Sequence, residues 1–144
     1  MHVQGILESK GARVVTSRAG ETIAATAQLL ASHNIGAVVV LDDSDRIVGI
    51  ISERDLVRGL AASGPSVAGQ KVADHMSREV LTCRPTDTIE DIMAVMTARR
   101  VRHLPVVEDG RLLGIASIGD VVKHRLDEAA LEVDSLRQYV LAGR

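Results

Sequence analysis

Aromatic residues are nearly missing from this chain of 144 residues, which has no Phe, no Trp and a single tyrosine, Tyr139. Its core must therefore be built from Val, Ile, Leu, Ala and Met, and it offers no ring platform on which single-stranded bases could stack. Cysteine is as scarce. Cys83 stands alone, which excludes an intramolecular disulfide and a thiolate metal cluster. Neither sign of charge dominates. The 17 Lys and Arg are interleaved with 19 Asp and Glu for a net charge of −2, so no basic footprint for nucleic acid or an anionic membrane is expected. Long apolar runs are missing as well, none approaching the roughly 18 residues a membrane helix needs. The first fifteen residues lack the basic start and apolar stretch of a secretory signal. The cytoplasm is the expected location.

What is present fits an ordinary globular protein, with 46% hydrophobic and 25% charged residues. The length suits one compact domain or two small units sharing a core.

The chain repeats itself. Residues 16–43 align with 82–109, placing Thr16 on Thr82, Arg18 on Arg84, Thr22 and Ile23 on Thr88 and Ile89, and Val40 on Val106. After a one-residue slip, residues 46–57 align with 111–122, so that Gly49, Ile50, Ser52 and Asp55 fall on Gly114, Ile115, Ser117 and Asp120. Short leaders, 3–7 and 72–76, correspond too. Each repeat reads as βαββα. In the second, Thr88 opens a helix whose apolar face is Ile89, Ile92, Met93 and Met96. A strand at 103–107, the turn residues Glu108, Asp109 and Gly110, a returning strand at 111–117 and a helix from Ile118 follow. The first repeat predicts a helix at 22–33, strands at 36–41 and 46–51 around an acidic turn, and a helix at 53–62.

These boundaries give a first repeat over 1–63, a small-residue linker over 64–71, a second repeat over 72–125 and a helical extension over 126–144. The fold class is α/β (α+β). A unit of about 60 residues has a marginal core. Two copies packed sheet to sheet with pseudo-twofold symmetry would cover the apolar face each leaves over.

Chemistry points to the strand ends Gly49-Ile-Ile-Ser52-Glu-Arg-Asp55 and Gly114-Ile-Ala-Ser117-Ile-Gly-Asp120. Each Ser falls at a helix N-cap, where free N–H groups and the helix dipole favour an anion. Each Asp follows one turn on, placed to accept from the vicinal hydroxyls of a ribose. Glycine ahead of the strand end permits close approach of a ligand or of other backbone. The same Ser-x-x-Asp spacing also reads as a plain capping box, and the two readings are compatible.

The leaders, the Thr-Ile helix openings, Val101-Arg-His-Leu-Pro-Val-Val107 and both Gly-to-Asp stretches together resemble a pair of CBS domains, the module also called a Bateman domain. The resemblance runs from Val3 to Arg125. It implies adenosine ligands such as AMP, ADP, ATP, NAD(H) or S-adenosylmethionine, with Asp55 and Asp120 on ribose hydroxyls and Ser52 and Ser117 by phosphate. It implies that Thr16 and Thr82 frame the adenine together with Ile35, Val38 and Val101, and that Arg102 and His103 match phosphate-holding positions. Arg54 is a further phosphate candidate, opposite Gly119 in the other copy, so two unequal sites are expected. Disc-like homodimers are common in the family.

No catalytic pattern competes. His2, His33, His75, His103 and His124 are scattered without ligand spacing, and no G-x-G-x-x-G, Walker loop or G-x-S-x-G occurs. Cys83 reads as a small packing residue. The expectation is a regulatory, energy-sensing nucleotide-binding module without metal or catalysis of its own. The alternative is an interaction or assembly protein, its ligand clefts vestigial, acting through its C-terminal helix on another copy or an unidentified client. Val122, Leu126, Ala129, Val133, Leu136 and Val140 in that helix have coiled-coil spacing, a seam that either folds back on its own domain or joins two chains or a client.

Overall fold

A computed structural model describes residues 1–11 and 14–143; Ala12, Arg13 and Arg144, the last residue of the expected extension, lie outside them. The chain divides into two compact units, one of residues Arg13–Thr82 and one combining Met1–Ala12 with Cys83–Arg144.

In the unit of Arg13–Thr82, Thr22 caps helix α2 (Ile23–His33) by accepting from the Ala25 amide at 3.1 Å. The helix ends where Asn34 turns left-handed at φ 53°. Strand β2 (Ala37–Leu41) pairs in parallel with β1 (Thr16–Arg18) and antiparallel with β3 (Ile47–Ser52), giving the order β1-β2-β3. The Asp42 side chain shapes the hairpin turn by accepting from the Ser44 and Arg46 amides, both at 2.9 Å. Helix α3 (Glu53–Ser63) completes βαββα. The small-residue linker contains a 3-10 helix, Gly64–Gly69, whose Val67 enters a core made with Ile23, Leu30, Val38, Val40, Ile51 and Val72. The buried Ser17 and Thr26 hydroxyls satisfy each other at 3.1 Å.

The other unit holds α1 (Val3–Lys10), α4 (Ile89–Arg99), β4 (His103–Glu108), β5 (Arg111–Ser117) and α5 (Ile118–Ala142). Thr88 caps α4 through the Asp91 amide at 3.1 Å, as Thr22 caps α2. The expected first strand is reduced to one parallel bridge, Cys83 to Val106. Two residues on, Pro85 has no N–H to give a ladder, and the Arg84 amide turns to the Asp87 carboxylate at 2.8 Å. No helix among the described residues is long and apolar enough to cross a membrane.

Each leader packs in the unit of the other repeat, and by the same contacts. Val3 N–H donates to Asp87 O at 2.9 Å and Val72 N–H to Glu21 O at 2.8 Å. Ile89 N–H donates to Met1 O at 3.1 Å and Ile23 N–H to Gln70 O at 2.9 Å. A Cβ on Gly114 would lie 2.7 Å from Leu7 Cδ2, and one on Gly49 would lie 2.5 Å from Met76 Sδ and 2.9 Å from Ser77 O. The two glycines thus make room for the leaders. Of the two occupants glycine permits there, backbone and side chain from the same chain hold the place.

Candidate functional site

Both Ser–Asp pairs form capping boxes at the starts of α3 and α5. Ser52 N–H donates to Asp55 Oδ2 at 2.8 Å and its hydroxyl lies 3.1 Å from the same oxygen. Ser117 N–H donates to Asp120 Oδ2 at 2.9 Å, and Ser117 Oγ accepts from Asp120 N–H at 3.2 Å. All four residues are half-buried, so each carboxylate is fixed in direction yet open to solvent. Each has spare acceptor capacity, since an ionised carboxylate has about four lone-pair sites.

The backbone before each hairpin is drawn to the cap. Glu53 N–H donates to Gly36 O at 3.0 Å, and Ile118 N–H donates to Arg102 O at 2.8 Å. Arg102 and His103 are thereby gathered with Ser117 and Asp120, His103 lying opposite Ser117 in the β4–β5 register. Ile35 and Val101 hold equivalent places, each half-buried just after a left-handed helix end at Asn34 or Arg100. Arg54 is exposed on the first turn of α3. Val38 is 0% exposed and belongs to the apolar core, so its side chain backs the sheet instead of facing solvent. Thr16 lies on the edge strand, two strand spacings, or roughly 10 Å, from β3. Thr82 is an exposed residue of the unit that carries Ser52, separate from the unit of Ser117.

Lys10 was not legible as a site residue. Its Nζ donates to Asp120 Oδ2 at 3.0 Å and to Ile115 O at 2.8 Å. The first repeat replaces that contact with backbone: Ile50, the counterpart of Ile115, exchanges hydrogen bonds with Ser77 at 3.0 and 2.9 Å. Burial pushes the Asp120 carboxyl up, but hydrogen bonds from Ser117 and Lys10 and the lysine charge outweigh it and hold the group below its ordinary value. A sequence signal existed only in the leader, where a Lys stands seven residues after Val3 and Glu79 seven after Val72. Its partner lay 110 residues away.

Cys83 is 5% exposed. Burial, reinforced by Asp87, pushes its thiol up to about 12, so at neutral pH it carries almost no thiolate. Iodoacetamide at pH 8 is expected to leave the folded protein unmodified and to label Cys83 only after denaturation. Mass-spectrometric labelling of the native protein at the rate of free cysteine would show the packing role to be wrong. Among the described residues, no three His, Cys, Asp or Glu side chains cluster as a metal site.

The CBS domain matches this chain at residues 11–62 and again at 72–127. The crystal structure of a CBS-domain containing protein from Agrobacterium tumefaciens is 44% identical with a TM-score of 0.83, covering 86% of this chain and 92% of that one. A CBS-domain protein of Burkholderia ambifaria is 34% identical with a TM-score of 0.82, over 88% of this chain and 95% of its own. A mitochondrial CBS domain-containing protein of Arabidopsis thaliana is 32% identical over 98% of this chain and 72% of its own length. With a Thr-capped helix, a hairpin and a Ser–Asp-capped helix in each copy and these matches across most of its length, the chain belongs to the CBS-domain family and carries the domain twice.

Proposed function

We propose that this CBS pair is a regulatory module that binds an adenosine ligand (AMP, ADP, ATP or NADH) and reports it to a partner without catalysis of its own. The observation that carries this is the doubled Ser–Asp arrangement: a half-buried carboxylate held rigidly at a helix start in each repeat. A ribose diol donates two O–H groups to one carboxylate, while N–H groups at the helix start and the dipole favour a phosphate. Arg102 and His103 beside Asp120, and Arg54 beside Asp55, are the phosphate-holding candidates; Ile35, Val101 and the backbone at Thr16 and Thr82 frame the base. A CBS domain pair 25% identical to this chain, TM-score 0.76, was solved in complex with 5-methylthioadenosine and S-adenosyl-L-methionine, which supports an adenosine ligand. The sites are unequal in this reading, because Lys10 already engages Asp120 and no ion pair is formed at Asp55 among the described residues. Ligand would shift the population of states a partner meets, by no more than its differential affinity for them. The cytoplasm remains the proposed location.

A thermal-shift panel of AMP, ATP, NADH and S-adenosylmethionine tests the reading. Ligand at 100 times its dissociation constant adds about 2.7 kcal/mol, so a clear rise in Tm is expected with at least one of them. The rise should vanish in the Asp55→Ala plus Asp120→Ala variant. No rise with any of the four, or a rise that survives the double substitution, overturns it. The second reading, assembly through the C-terminal helix, is favoured by the exposed seam of α5.

A further inference from the structure

Helix α5 outruns the unit it starts from. Its first turns dock on α4, where Arg125 reaches Glu90 at 2.9 Å, while within α5 the same guanidinium lies 3.2 Å from Glu128. Every described residue from Ala129 to Gly143 is exposed. That leaves about 14 helical residues, or roughly 21 Å, without tertiary support, a length at which an isolated helix is marginal in water. Leu131, Tyr139 and Leu141 lie exposed elsewhere on the helix, but the other apolar residues form one continuous line along it. Val122, Leu126, Val133, Leu136 and Val140 are 49, 65, 47, 65 and 56% exposed and, with Ala129, recur at steps of four and three. Leu126, Val133 and Val140 take one seam position, and Val122, Ala129 and Leu136 the other, a mix with two β-branched residues at a and one leucine at d.

We infer that this seam is covered by the same seam of a second copy, as a short, parallel, two-stranded coiled coil with the two chains in register. The flanking charges choose both the partner and the direction. In a parallel pair, Glu132 of one helix lies beside Arg137 of the other, five residues on, and symmetry makes the contact twice. Neither side chain has an ion-pair partner among the described residues of its own chain. In an antiparallel pair centred on the same six residues, Glu132 would face Glu132 and Arg137 would face Lys123. Like charges then meet at both flanks. Self-pairing also supplies the support that the free turns lack. The inference does not rest on nucleotide binding and stands or falls separately.

The test uses the full chain. Sedimentation equilibrium at about 1–100 µM should show a dimer, and Leu136→Asp should yield a monomer. An unchanged thermal transition for the two units would show that this exposed substitution leaves their fold intact. Glu132→Arg alone should weaken the dimer several-fold, and adding Arg137→Glu should restore it, because the exchanged charges again attract across the pair. Leu136→Cys should form a covalent dimer on mild oxidation, since parallel register sets residue 136 against its own copy, while Cys83 stays buried. A wild-type monomer across that range overturns the inference, as does a dimer indifferent to Leu136→Asp. So does a Leu136→Cys protein that dimerises but does not cross-link, which would indicate an antiparallel or displaced pairing.

Discussion

Replacing Ile6 with alanine is expected to destabilise the unit that contains Cys83–Arg144 by about 2–5 kcal/mol, although Ile6 lies at the other end of the chain. The side chain is 0% exposed, as is that of Val3, and both are buried in a unit formed by residues 1–12 with residues 83–144. Backbone bonds fix the leader there: Val3 N–H to Asp87 O at 2.9 Å, Gln4 N–H to Pro85 O at 3.0 Å, and Ile89 N–H to Met1 O at 3.1 Å. The leader cannot move away to relieve the cavity, so the loss should approach the upper part of the range. Against a total stability of about 5–15 kcal/mol this is a large fraction. Urea unfolding followed by hydrogen exchange should show lost protection in α4, β4 and β5, with α2 and β2 little changed. Lost protection concentrated in residues 14–63 would mean that the leader serves the repeat next to it in sequence.

The second large effect concerns the paired carboxylates and follows from the proposed ligand. A hydrogen bond to a charged group is worth about 1.5–3 kcal/mol, so Asp55→Asn should weaken adenosine binding in its repeat roughly 10- to 150-fold. At Asp120 the lysine changes the outcome. A ribose there must share Oδ2 with the Lys10 ammonium, 3.0 Å away, or displace it. Lys10→Met should therefore tighten binding of uncharged adenosine at the Asp120 site, with no change at Asp55. Titration calorimetry on single-site variants separates the two. Unchanged or weaker adenosine binding in the Asp120 site of Lys10→Met would remove the competitor role. The same contact has a pH signature. Because the folded carboxyl of Asp120 is held below its ordinary value, its contribution is complete above the unfolded value of about 3.9 and is lost as pH falls through the folded one. Lys10→Met should reduce this acid-dependent component.

Much of this was written plainly in the sequence. Thr22 and Thr88 announced helices that begin one residue later, and the acidic turn at Asp42 behaves as its side chain dictates. Ser52 and Ser117 cap the helices their spacing predicts. Such features are local, decided within three or four residues by propensity and hydrogen bonding. The packing of the linker was not legible because five of its six helical residues are small or turn-forming. Val67 alone carried the contrary information, and burial is a tertiary property.

The doubled Ser–Asp motif, the order of helix, hairpin and helix in both repeats and the CBS resemblance were therefore determined by the amino-acid sequence by itself. Only the tertiary structure decided that each leader serves the other repeat, that Gly49 and Gly114 make room for Met76 and Leu7, and that Lys10 reaches Asp120. The physical reason is separation along the chain. A lysine and an aspartate 110 residues apart carry no mutual pattern in one sequence. Their contact exists only because burying Val3 and Ile6 brings the end of α1 to the start of α5.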